Sequence, residues 1–92
     1  MAERRVTVGS RIGLHARPAA MFVQTAAKQP VKITVSKEGK QPVDARSILS
    51  VLGLDVRGGE EVILTADGDG AEQALDELAA LVARDLDAPE NG

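Results

Sequence analysis

The chain contains no cysteine, no tryptophan and no tyrosine; its single aromatic residue is Phe22 and its single histidine is His15. Without thiols there can be no disulfide and no thiolate metal site, a composition compatible with a reducing compartment. One aromatic ring offers no platform on which successive bases could stack. Positive charge is not in excess either. Eleven Lys+Arg stand against 14 Asp+Glu, a net charge of −3, whereas nucleic acid or an anionic membrane calls for a basic footprint. The stretch Met1-Ala2-Glu3-Arg4-Arg5 lacks the apolar core of a signal peptide, and no apolar run is long enough to span a bilayer. The expectation is a cytoplasmic protein that neither binds nucleic acid nor inserts into a membrane. One histidine and no cysteine also leave no adjacent base to activate a serine, which rejects an independent hydrolase of the usual arrangement.

What is present reads as an ordinary globular domain of 92 residues, 43% hydrophobic and 27% charged. One domain over residues 1–86 is expected, with 87–92 as a flexible C-terminal tail. Val6-Thr7-Val8 alternates apolar and polar as a strand does. A loop, Gly9 to Gly13, leads to a helix from Pro18 to about Lys28, since proline is tolerated where the N–H has no intrahelical partner. Ala19, Ala20, Val23, Ala26 and Ala27 would form its small-residue face, and Pro30 stops it. Val31, Ile33 and Val35 mark a second strand. After the turn at Glu38-Gly39, Val43 and Ala45 mark a short third strand, which Pro42 assigns to a sheet edge. Ser47 to Leu52 forms a short helix, capped by Ser47 and ended by Gly53. Arg57-Gly58-Gly59 turns into a fourth strand, about Glu61 to Ala66. Asp69 and Glu72 have capping-box spacing, and Ala71, Leu75, Leu78, Leu81 and Val82 form the stripe of a last helix. The order β-α-β-β-α-β-α defines an α+β sandwich with helices on one sheet face.

The chemistry concentrates where the first loop meets the first helix. A neutral imidazole is a nucleophile, and an unperturbed one titrates at about 6.5. The free amides of a helix start favour an anion. Arg17 adds a planar fork of donors suited to phosphate oxygens. His15, Arg17 and Pro18 together could therefore carry and hold a phosphoryl group on nitrogen; taken alone, the same residues also fit a histidine that merely caps the helix beside a solvated arginine. Asp67-Gly68-Asp69-Gly70 superficially suggests a calcium loop, but it lacks the further oxygen ligands and the glutamate at the twelfth position. It reads as a turn, and no metal or cofactor is implied.

The string Gly13-Leu14-His15-Ala16-Arg17-Pro18-Ala19-Ala20 closely resembles the active-site motif of the histidine-containing phosphocarrier proteins (HPr) of the bacterial phosphoenolpyruvate-dependent sugar phosphotransferase system. Asp44-Ala45-Arg46-Ser47-Ile48-Leu49 resembles the family's second motif, a basic residue before a serine that opens a short apolar helix. The resemblance covers roughly residues 4 to 86 and implies an open-faced β-sandwich, with a four-stranded antiparallel sheet covered on one face by three helices. It further implies that His15 accepts phosphate on Nδ1 from phosphorylated enzyme I and passes it to the A domain of a sugar-specific enzyme II. Arg17 would shield the phosphate, and amides near Ala16 and Arg17 would bind its oxygens. Ser47 resembles the serine that a dedicated kinase modifies in part of the family, which brings a serine kinase/phosphorylase and transcriptional regulators into the partner set. Ala16, Arg17, Ala20, Met21, Gln24, Ile48, Leu49 and Leu52 would form the docking face. The protein would be a monomer and a carrier, not a catalyst with its own turnover. Two positions depart from the family: Ile12 stands where many relatives have a small polar residue, and Asp55 replaces a glycine after the second helix. A nitrogen-branch regulatory phosphocarrier, or a binding module without phosphotransfer, would share much of this pattern.

Overall fold

The computed structural model describes residues 2–9, 13–14 and 17–84. Among them are four strands and three helices, in chain order β1 (Ala2–Thr7), α1 (Arg17–Ala27), β2 (Ile33–Lys37), β3 (Val43–Asp44), α2 (Ile48–Gly53), β4 (Glu61–Ala66) and α3 (Ala71–Ala83). The strands form one sheet in the order β1-β4-β2-β3, and every pairing is antiparallel. The α+β reading and the order of elements therefore hold. Proline at position 42 does precede an edge strand, whose ladder covers only Thr34↔Asp44 and Val35↔Val43.

Alternation along the strands decides which sheet face is covered. Ile33 and Val35 of β2 and Val62, Leu64 and Ala66 of β4 are buried, and the register sets Val35 opposite Leu64 and Ile33 opposite Ala66. These side chains join one hydrophobic cluster with Ala19, Phe22 and Ala26 of α1, Val51 of α2, and Leu75, Leu78 and Val82 of α3. The intervening strand residues belong to the other face, where the paired Thr34 and Thr65 share a hydroxyl–hydroxyl hydrogen bond. A period-two pattern with one apolar face dictates this open-faced arrangement.

Four details depart from the sequence reading. β1 begins at Ala2, ahead of the alternating triplet, because Arg4 lies opposite Leu64 and reaches Glu72 (2.5 Å) and Asp76 (3.0 Å) of α3. On α1 the core-facing bulk is Phe22, which is fully buried, while Ala27 is exposed. Asp69 does not cap α3; that place is taken by Gly70, at φ 89°, and no side chain caps the helix. Gly53 is the last residue of α2 and the left-handed position comes two residues later, at Asp55 (φ 53°).

Candidate functional site

Arg17 opens α1 and is exposed, followed by buried Pro18. The helix thus starts at the arginine, one residue earlier than proline alone indicates, and presents first-turn amides that no intrahelical carbonyl can satisfy. His15, Ala16 and Ile12 lie outside the described residues, as does the expected tail 87–92. The two residues before the histidine are described and tightly held. The Leu14 side chain is buried, and its N–H donates to the Val56 carbonyl at 3.0 Å. Gly13 has φ 105°, and a Cβ there would lie 2.1 Å from the same carbonyl oxygen. Glycine is required for this approach of one backbone to another.

The second motif folds as a preorganised turn. Asp44 Oδ1 accepts from the Arg46 N–H at 2.9 Å, and the Asp44 carbonyl accepts from the Ser47 N–H at 3.1 Å. Ser47 takes extended dihedrals (φ −102°, ψ 108°) and caps α2: its Oγ accepts from the Ser50 N–H at 3.4 Å and its carbonyl from the Val51 N–H at 2.9 Å. The Arg46 N–H, and then the Arg46 side chain, hold the Asp44 carboxyl below its ordinary range.

α2 has only six residues, and Val51 alone is buried along it. Ile48, Leu49 and Leu52 remain 38, 79 and 39% exposed. On α1, Gln24 is exposed and Ala20 and Met21 are half-buried. α1 and α2 pack against each other, so these two sets stand on neighbouring helices. Large apolar side chains left in water beside polar groups make this face a candidate docking surface. The described residues contain no group of three or more side chains suited to a metal ion. A surface concavity of about 530 Å³, lined by Arg5, Lys37, Glu38, Glu60, Glu61 and Ile63, includes none of the motif residues.

Sequence reasoning missed the residues behind the first motif: Val56, which anchors Leu14, and Lys37 and Glu60, which hold the segment around it. The one available signal was Gly13 itself, because a glycine two residues before a candidate nucleophile can mark a close backbone approach.

Fold and site together define a small open-faced α+β domain whose described candidate residues stand on two packed helices, with large apolar side chains exposed on one of them. The comparisons with known proteins give this domain a family. A family model described as PTS HPr component phosphorylation site matches residues 2–84. The phosphocarrier protein HPr of Streptomyces coelicolor is 54% identical over 87 residues, covering 95% of this chain and 94% of that protein. The crystal structure of an HPr from Bacillus anthracis superposes with a TM-score of 0.83 at 42% identity, covering 88% of this chain and 95% of that one. Crh of Bacillus subtilis, a catabolite repression protein whose crystal structure is reported as a domain-swapped dimer, superposes with a TM-score of 0.69 at 43% identity, covering 89% and 93%. This chain belongs to the HPr family of phosphocarriers of the phosphotransferase system.

Proposed function

We propose that the protein accepts a phosphoryl group on His15 from phosphorylated enzyme I and delivers it to the A domain of a sugar-specific enzyme II, in phosphoenolpyruvate-dependent sugar uptake. The observation that carries this reading is simple: the chain is a member of a phosphocarrier family and has one histidine. In the transfer, the Nδ1 lone pair attacks phosphorus, an N–P bond forms, and the bond to the donor breaks with its electron pair leaving on the donor. The reverse exchange passes the group to the acceptor. Arg17 and the first amides of α1 balance the phosphate charge, and Ala16 contributes its amide. Transfer of this kind depends on positioning and electrostatics, so a domain with no deep pocket can take part and its partner supplies the rest of the site. The chain is then substrate and product of other enzymes and has no turnover of its own.

Docking uses Ala16, Arg17, Ala20, Met21 and Gln24 together with Ile48, Leu49 and Leu52. The protein works as a monomer in the cytoplasm; among the described residues no helix is long and apolar enough to cross a membrane. Ser47 is the candidate for a regulatory kinase. Phosphate there would add about −1.5 to −2 charge at the start of α2, beside the docking face. Likeness to a catabolite repression protein favours this second, regulatory use of the surface.

The test is incubation with enzyme I, Mg²⁺ and labelled phosphoenolpyruvate. Acid-labile, base-stable label that disappears in His15→Ala is the expected result. A folded chain that takes no label, beside a control carrier that does, would overturn the sugar-branch reading and direct the same assay to a nitrogen-branch donor. Label in neither assay would leave a binding module.

A further inference from the structure

The segment that leaves α2 is held by a side chain from a different part of the sheet. Lys37, the last residue of β2, sends its ammonium to the Asp55 carbonyl at 2.7 Å and to Glu60 Oε1 at 3.0 Å. Its side chain is only 13% exposed. Glu60 Oε1 accepts a second hydrogen bond, from the Arg57 N–H at 2.8 Å. One ammonium thus joins the beginning of the 55–60 segment to its end. These bonds to an ionised carboxylate, the Arg57 N–H first and Lys37 second, also hold the Glu60 carboxyl below its ordinary range.

The segment needs holding. Asp55 sits at φ 53°, in the left-handed region, which aspartate tolerates better than most residues with a Cβ but not without cost. Its Oδ2 accepts from Arg57 at 3.3 Å, but both of those side chains are largely exposed. Between the bracketed ends lies Val56, buried, whose carbonyl receives the Leu14 N–H and fills the space left by the missing Gly13 side chain. Leu14 is covalently joined to His15.

We propose that Lys37 is a positioning residue for phosphoryl transfer: through Asp55 and Glu60 it fixes the Val56 carbonyl, and through that carbonyl it fixes the backbone that enters His15. The role rests on the reading of His15 as acceptor. In this role Lys37 acts through the backbone, by way of its bonds to Asp55 and Glu60. Lysine suits the task because three donors on one compact centre can serve a carbonyl and a carboxylate together.

The test compares the full-length wild type with Lys37→Met and Lys37→Arg. Amide hydrogen exchange of Leu14 is followed by NMR against Val35 and Leu64 in the central strands, and transfer from phospho-enzyme I is timed in parallel. In Lys37→Met, exchange at Leu14 should quicken and transfer should slow by about tenfold each, the scale of one charge-assisted hydrogen bond. Val35 and Leu64 should stay unchanged, and Lys37→Arg should restore most of both effects. Unchanged exchange at Leu14, or equal acceleration at all three amides, overturns the bracket. Selective acceleration at Leu14 with undiminished transfer overturns the positioning role. A wild-type chain that takes no label removes the acceptor reading and this role with it; selective exchange at Leu14 in that case separates failure of the function from failure of the bracket.

Discussion

Replacing Gly13 with alanine tests whether backbone contact, and not dihedral freedom alone, demands glycine ahead of His15. Gly39 supplies the control, because it too has a positive φ, 84° against 105°, yet nothing lies within 4 Å of its added Cβ. An L-residue in the left-handed region costs about 1–2 kcal/mol, and the loss of glycine's freedom in the unfolded chain offsets about 0.4–1 kcal/mol of that. Gly39→Ala should therefore destabilise by about 0–1.6 kcal/mol. At Gly13 the same substitution puts Cβ 2.1 Å from the Val56 oxygen and 2.6 Å from the Arg57 Cα, both backbone atoms. The segment must retreat by about 1 Å to restore ordinary contact. That retreat strains the Leu14 hydrogen bond and leaves a donor short of its partner, worth about 1–3 kcal/mol. Displaced packing around Val56 and Leu14 adds about 1–3 kcal/mol. Gly13→Ala should thus cost about 2–6 kcal/mol more than Gly39→Ala. Urea denaturation followed by far-ultraviolet circular dichroism is the assay, since the chain has neither tryptophan nor tyrosine to report by fluorescence. Two variants within about 0.5 kcal/mol of each other, inside the usual scatter of surface substitutions, would refute the contact argument.

Ser47→Ala removes the α2 cap; because the Ser50 N–H reaches Ser47 Oγ at a long 3.4 Å, the loss should be about 0.5–1 kcal/mol, the low end for caps, checked by the same denaturation. Acid should weaken the fold through Asp44 and Glu60, whose folded values lie below the ordinary 3.8 and 4.5. A depressed carboxyl stabilises above its unfolded value, and that contribution is lost as pH falls through the folded value. Stability should therefore decline from about pH 5 downward, and Asp44→Asn with Glu60→Gln should flatten the decline; an unaltered profile in the double variant would contradict it.

The parts of the molecule governed by neighbours in sequence were legible before the fold. Alternation located β2, the turn at Arg57-Gly58-Gly59 placed β4, and helical spacing located α3 with Leu75, Leu78, Leu81 and Val82, all buried. Ser47 before an apolar hexamer predicted its cap. Local signals failed where geometry had two solutions. Asp69 and Glu72 have the spacing of a capping box, but the chain enters α3 through Gly70 in the left-handed region, and no capping bond from a side chain forms. For the site, the sequence displayed the motif and not its support. Lys37 stands 18 residues from Asp55 and 23 from Glu60. Nothing in the alternation of a strand tells which remote carbonyl its last lysine will find. Asp55 shows the same divide: the sequence places an aspartate after the second helix, and only the fold supplies the positive φ and the ammonium that accompanies it.

The strand order has a consequence for how the chain comes into being. β4 lies between β1 and β2, yet it is the last strand in sequence. Among the described residues, the only ladder between consecutive strands is the two-pair contact of β2 with β3. During synthesis, then, β1 and β2 wait without their principal partner until Ala66 has emerged, and pairing of Ala2 with Ala66 joins residues from opposite ends of the sheet-forming part of the chain. Such distant pairings are slow because the entropy of closing the loop comes before any reward from contact. Apart from the short β2–β3 ladder, then, the sheet depends on β4, and its assembly is expected to follow the emergence of that strand.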